Sequence, residues 1–144
     1  MIRKMVEIRY PGTEYRYHVY ADGILFLDIA STNKTAVCPY CGYPSAKVHS
    51  YHTRKFADLP YNGHELSVNL RIRKFFCSNE NCAHKTFAEQ FSFIKPSEKK
   101  TTRLIEKIIS VYDGASSRKA TTALNAAGVR VCKATVCNLK SKYR

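Results

Sequence analysis

The sequence predicts an α+β fold in which a β-rich, cysteine-bearing N-terminal part precedes a small helical unit. Three observations carry this expectation. Apolar residues alternate with period two in several stretches before Phe76, two pairs of cysteines bracket the clearest strand signal, and after Pro96 the apolar period becomes helical. The expected architecture is a β-hairpin and small antiparallel sheet with a four-cysteine zinc-ribbon-like module, followed by a three-helix helix-turn-helix. The division falls at 1–94 and 95–144, with the zinc module at about 37–90.

Met5–Tyr10 and Tyr15–Tyr20 alternate on either side of Pro11-Gly12, which predicts a hairpin. Gly23–Ala30 is nearly continuous apolar sequence, polar only at Asp28, and reads as a third strand buried against it. Leu66, Val68, Leu70 and Ile72 alternate with Ser67, Asn69, Arg71 and Arg73 after the turn signal Asn62-Gly63, and this strand runs into Cys77. Phe91–Lys99 is the candidate linker. Beyond it Leu104, Ile105, Ile108, Ile109 and Tyr112 share a helical face, with Thr101 or Thr102 as N-cap and Asp113-Gly114 as the stop. Ser116 or Ser117 caps a second helix, whose Ala120, Ala123, Leu124 and Ala127 form a narrow face ended by Gly128. A third helix starts near Lys133 and buries Val136, Leu139 and Tyr143.

Charge narrows the choice of partner. The 144 residues carry 24 Lys and Arg against 11 Asp and Glu, a formal charge of +13, and Lys95–Arg144 alone holds 12 of the basic residues against Glu98, Glu106 and Asp113. Such a chain suits a polyanion. No apolar run approaches the roughly 20 residues of a membrane span, and no signal-peptide pattern follows Met1. A cytoplasmic protein without a membrane partner is therefore expected, with reduced thiols that serve as ligands or core side chains rather than disulfides.

Cys38-Pro39-Tyr40-Cys41-Gly42 has the spacing of a zinc knuckle, in which a tight turn aims two thiolates at one ion. Cys77 and Cys82 form a looser second pair, and the two pairs bracket the hairpin-like segment Lys47–Lys74. Four thiolates close a tetrahedral Zn²⁺ to water, which makes the expected site structural rather than catalytic. Buried free cysteines, an iron–sulfur centre, and His49 or His84 in place of one cysteine stay open at this point. Cys132 and Cys137 read as non-ligands, and Cys132 stands where a Ser or Thr cap is expected, at a cost of about 1 kcal/mol to the helix start.

With Val136, Leu139 and Tyr143 turned inward, Lys133, Ala134, Cys137, Asn138 and Ser141 face outward, available to base edges in a major groove. Asn138 is the expected base reader, since Asn pairs bidentately with adenine. Arg118, Lys119, Arg130, Lys140 and Lys142 are expected at phosphates, with Arg144 flanking the same helix. A second patch on the zinc segment, Tyr51, Arg54, Lys55, Arg71, Arg73 and Lys74, offers further phosphate contacts or is simply the polar face of a sheet.

The knuckle at 38–42, the Val48–Pro60 stretch with Asp58-Leu59-Pro60, the Leu70–Phe91 stretch with Phe75-Phe76-Cys77, and the Lys100–Leu104 helix start together resemble the N-terminal region of the ISL-three insertion-sequence transposases of bacteria. The likeness runs from about Val37 to the C-terminus. It implies that the zinc and helical parts bind double-stranded DNA at transposon terminal inverted repeats, in DNA transposition and recombination. It also implies that a following ribonuclease-H-like domain cuts strands with three carboxylates and two divalent metals. The sequence stops at Arg144, and none of Asp58, Glu65, Glu80 and Glu89 is arranged for two-metal chemistry, so no activity is expected of this chain alone, whether it is a truncated reading frame or a fragment. A stand-alone repressor of transposition and a zinc-dependent protein-interaction module are the alternatives, and a homodimer is compatible with each.

Overall fold

A computed structural model describes residues 1–113 and 116–143. Gly114 and Arg144, expected to stop one helix and to flank another, lie outside the described residues.

The chain opens with a helix, α1 (Ile2–Arg9), where a strand was expected. The segment carries both periods at once: Val6, Ile8 and Tyr10 alternate, while Ile2, Met5, Val6 and Tyr10 recur at helical spacing. Packing decides between them. Met5, Val6 and Tyr10 are buried against the sheet, and Ile8 is left 71% exposed.

β1 (Thr13–Ala21) and β2 (Ile24–Ser31) form the first hairpin, and β5 (Val48–Tyr61) and β6 (His64–Phe76) the second. Between them lie the short strands β3 (Ala36–Val37) and β4 (Pro44–Ser45), and β7 (Thr86–Ala88) follows. The hairpin turns are Asp22-Gly23 and Asn62-Gly63, each with both residues at positive φ, the backbone of a two-residue turn that matches strand twist. The first turn is thus at Asp22-Gly23 rather than Pro11-Gly12. Strand order is β1-β2-β6-β5, with β7 also on β6. The sheet is not wholly antiparallel: Leu25 to Ala30 pair in parallel with Leu66 to Arg71, which the long connection through β3, β4 and β5 permits.

β6 serves two cores. Its Leu66, Val68, Leu70 and Ile72 point into the main cluster with Leu25, Leu27, Ile29, Phe56 and the α1 residues. Phe75, of opposite parity, packs instead with Phe87 and Cys38. Cys77 therefore emerges at the end of a strand already fixed by two hydrophobic clusters.

α2 (Thr102–Asp113), α3 (Ser117–Ala126) and α4 (Lys133–Tyr143) enclose a third cluster of Leu104, Ile105, Ile108, Ala120, Leu124, Val129, Val136 and Leu139. Thr101 accepts from the Leu104 amide (3.3 Å) and Ser116 from the Lys119 amide (3.3 Å), so α2 and α3 start as their sequences require. Gly128, at φ +88°, ends α3 and lets Val129 turn back into the core. Ala123 and Ala127, expected on the packing face of α3, are exposed, because the turn through Val129 fills that space instead.

The expected linker is packed rather than free. Phe93 and Ile94 are buried in the main cluster, and Arg54 donates to the carbonyls of Lys95 (2.5 Å) and Glu98 (2.9 Å). The Ala57 amide donates to the Lys99 carbonyl and its own carbonyl accepts from Thr101, so the chain borders β5 as it enters α2.

Candidate metal centre and basic surface

Each cysteine pair sits on a small turn held by backbone hydrogen bonds. In the first, β3 pairs with β4, the Gly42 amide donates to the Cys38 carbonyl (2.8 Å), and the Cys38 amide donates to the Tyr43 carbonyl (3.0 Å). Gly42 adopts φ +76°, which lets the chain double back after Cys41. In the second, the Cys77 amide donates to the Lys85 carbonyl (2.8 Å) and the Cys82 amide to the Asn79 carbonyl (3.1 Å), while β7 pairs back onto β6. Tyr40 and His84, one from each turn, stack with ring centroids 3.5 Å apart and planes 9° from parallel.

The two turns bring the Cys38, Cys41, Cys77 and Cys82 sulfurs within 4.8 Å of one another, with Cys41 and Cys77 Sγ 3.5 Å apart. Tetrahedral Zn–S bonds of about 2.3 Å require sulfurs about 3.8 Å apart, so the donor set fits the ion. The acid–base chemistry agrees. A hydrogen bond from the Tyr43 amide favours the Cys41 thiolate and brings it down to about 7. Cys77 also receives a hydrogen bond, from the Asn79 amide, yet burial and the neighbouring Cys41 and Cys38 sulfurs outweigh it and push the thiol up to about 12. Thiolates this close repel, and a divalent cation offsets that repulsion.

Residues 34–82 match the family model described as the zinc-finger of transposase IS204/IS1001/IS1096/IS1165. This segment is similar to the zinc ribbons of those transposases. Comparison of the chain with curated proteins and with solved structures gave no match. The ribbon binds a structural Zn²⁺, held by the four thiolates, and its role is to fix the end of β6 and the turn into β7. Neither histidine joins the cluster: His84 stacks on Tyr40, while His49 bonds Ser50 (2.9 Å) and packs edge-on to Phe76. Cys132 and Cys137 also stand apart from it. Cys132 caps α4 by other means, since the Thr135 hydroxyl lies 3.2 Å from its sulfur and, with the Thr135 amide, lowers its pKa.

Beyond the ribbon, the expected groove-reading residues of α4 share one surface. Lys133, Ala134, Asn138 and Ser141 are exposed and Cys137 is half-buried, opposite buried Val136 and Leu139. Arg118 and Lys119 are exposed on α3. Three of the expected phosphate ligands are instead ion-paired within the chain: Arg130 with Glu65 (3.3 Å), Lys140 with Asp113, and Lys142 with Glu98.

The second basic patch divides. Tyr51, Lys55, Arg71 and Arg73 lie on the face of the sheet away from the main cluster, whereas Arg54, of opposite parity, holds the segment before α2. Lys74, also of opposite parity, is half-buried where β6 meets β7. Two acids that the sequence left without a role prove to be buried anchors. Glu89 accepts from the Ser31 hydroxyl (2.5 Å) and the Arg73 amide (2.7 Å), and Asp58 gathers Tyr10, Thr101 and two arginines. The one signal for Asp58 was a carboxylate placed between Phe56 and Leu59 in a strand, where a charge needs partners.

Proposed function

We propose that this chain is the DNA-binding region of a transposase, in which the zinc ribbon braces a 1–94 unit and a 95–144 helix-turn-helix recognises transposon terminal inverted repeats. The observation that carries the reading is the transposase zinc ribbon joined to a basic three-helix unit whose last helix exposes Lys133, Asn138 and Ser141. α3 crosses the phosphate backbone with Arg118 and Lys119, α4 enters the major groove, and Asn138 reads adenine. Arg130, Lys140 and Lys142 exchange their carboxylate partners for phosphates on binding. The partner is double-stranded DNA and the setting is the cytoplasm. No described helix is long and apolar enough to cross a membrane.

The test is a competition gel shift with the zinc-loaded chain, setting inverted-repeat ends of such transposons against random duplex. Preference for the ends is expected, with Asn138→Ala relaxing that preference and Lys119→Ala weakening both duplexes alike. Equal binding of all duplexes by the wild-type chain would contradict recognition.

A further inference from the structure

The sheet is covered by α1 and the 91–94 segment on one face. Its other face is built in rows that the strand register fixes: Arg73–Tyr51, then Glu14–Ala30–Arg71–Thr53, then Tyr17–Asp28–Asn69–Lys55, then Val19–Phe26–Ser67. A solvated sheet face is ordinarily polar. Here Tyr17, Val19, Phe26 and Tyr51 are exposed at 54, 51, 41 and 52%.

The cations on this face are set among the aromatics. The Arg71 guanidinium lies 4.8 Å from the Tyr51 ring centroid, and Arg16, Arg71, Arg73 and Tyr51 line one pocket of about 280 Å³. Arg16 is 3.4 Å from Asp28. Arg71 and Arg73 have no ion-pair partner among the described residues. Arg73 is aimed by a hydrogen bond to the Asn33 carbonyl, so this cation is held in place before any anion arrives.

We infer that this open sheet face binds single-stranded DNA, with phosphates at Arg71 and Arg73 and bases stacked on Tyr51 and on the diagonal pair Tyr17 and Phe26. The sheet is too broad to enter an undistorted major groove. A major groove about 12 Å wide admits a helix or a two-stranded ribbon, whereas four strands about 4.8 Å apart span about 14 Å before their side chains are added. A single strand presents the base faces that a duplex hides, and aromatic side chains interleaved with Arg are the chemistry that holds them. From Tyr51 to Tyr17 the path crosses three strand spacings and four residues, about 20 Å, with Arg71 on the way. That is room for several nucleotides. The inference does not depend on α4, which lies in the separate three-helix cluster. It rests on the proposed function only in taking the strand to be DNA.

The experiment is fluorescence anisotropy of the full zinc-loaded chain with a roughly twelve-nucleotide oligothymidylate, its ribonucleotide counterpart, and a duplex of the same length. Arg71→Ala and the double change Tyr51→Ser with Phe26→Ser should each weaken the single strand about tenfold, and Tyr51→Phe should keep it within about twofold, because the ring still stacks. Duplex binding should be unchanged in all three, while Lys133→Ala should do the reverse. Far-UV circular dichroism and zinc content verify folding of each variant. Unchanged oligothymidylate affinity in well-folded sheet variants would overturn the inference. So would equal losses on duplex, tighter binding of the ribonucleotide, or a dimer in sedimentation that only the sheet variants abolish.

Discussion

Tyr10 Oη donates a 2.5 Å hydrogen bond to Asp58 Oδ2, joining α1 to β5 with both residues shut away from solvent. The same carboxylate accepts from Thr101 Oγ1 (2.6 Å) and the Leu59 amide (2.7 Å), and Arg9 and Arg103 lie at 3.8 and 3.5 Å. Thr101 is the residue that caps α2, and Arg103 also donates to the Arg9 carbonyl (2.6 Å). One buried charge therefore ties the N-terminal helix, the sheet and the start of the three-helix unit. Burial, then Asp58, pushes the Tyr10 hydroxyl well above its ordinary pKa, as expected of a phenol that donates to a carboxylate.

Removing this carboxylate strands three donors and two arginines together. Asp58→Ala should cost about 3–5 kcal/mol in urea unfolding, and Tyr10→Phe, which removes one hydrogen bond, about 1 kcal/mol. Equal and small effects from both would show that the network is incidental.

Zinc removal should act on the ribbon and β7 first, because Phe75, Phe87 and Cys38 form only a small cluster of their own. Chelation at neutral pH, or Cys82→Ser, should release the ion and lose near-ultraviolet signal from the ribbon tyrosines, while Cys137→Ser should keep a full equivalent. Zinc loss from the Cys137 variant would redraw the ligand set.

Gly128→Ala places a side chain at φ +88° and a Cβ 3.3 Å from Pro60 Cγ. Gly63→Ala imposes a similar backbone conformation with nothing within 4 Å, so it isolates backbone strain of about 1–2 kcal/mol. The Gly128 variant should be the less stable of the two in thermal unfolding, and only it should shift the α3–α4 turn, as seen in amide chemical shifts of Val129 and Val131.

Lys142 and then Tyr143 hydrogen-bond Glu98 and hold its carboxyl below the ordinary 4.5. A depressed carboxyl contributes stability above its unfolded pKa and loses it as pH falls through the lower folded value. Lys142 is raised by the same contact and contributes until pH climbs past 10.5. The end of α4 should thus stay docked across neutral pH and loosen below about pH 4.5, read from the Tyr143 ring signals. Glu98→Gln should abolish that acid step. An identical acid transition in both proteins would assign it elsewhere.

Legibility in the sequence followed how far each signal depends on distant residues. The zinc pairs, the Asn62-Gly63 turn, the Leu66–Ile72 alternation and the caps at Thr101 and Ser116 are local, and the structure keeps them. α1 is not legible locally, because eight residues hold both periods and only the partner surface chooses. The parallel β2–β6 pairing, the Arg54 clamp and the Asp58 network join residues some 40 or more positions apart. Nothing in local composition encodes such partners. The exposed sheet face was half legible, since Arg71, Arg73 and Tyr51 stood out while Arg16, Tyr17 and Phe26 needed the register to join them.

Under the proposed function, the helical unit of this chain holds duplex DNA by its charge and exposed α4 surface. The decisive measurement is the salt dependence of duplex binding by the zinc-loaded protein. We expect a linear fall of log K with log salt at a slope of about −3 to −6, and a slope shallower by about one unit in Lys119→Ala. Binding that ignores salt, or a slope that Lys119→Ala leaves unchanged, would overturn that reading.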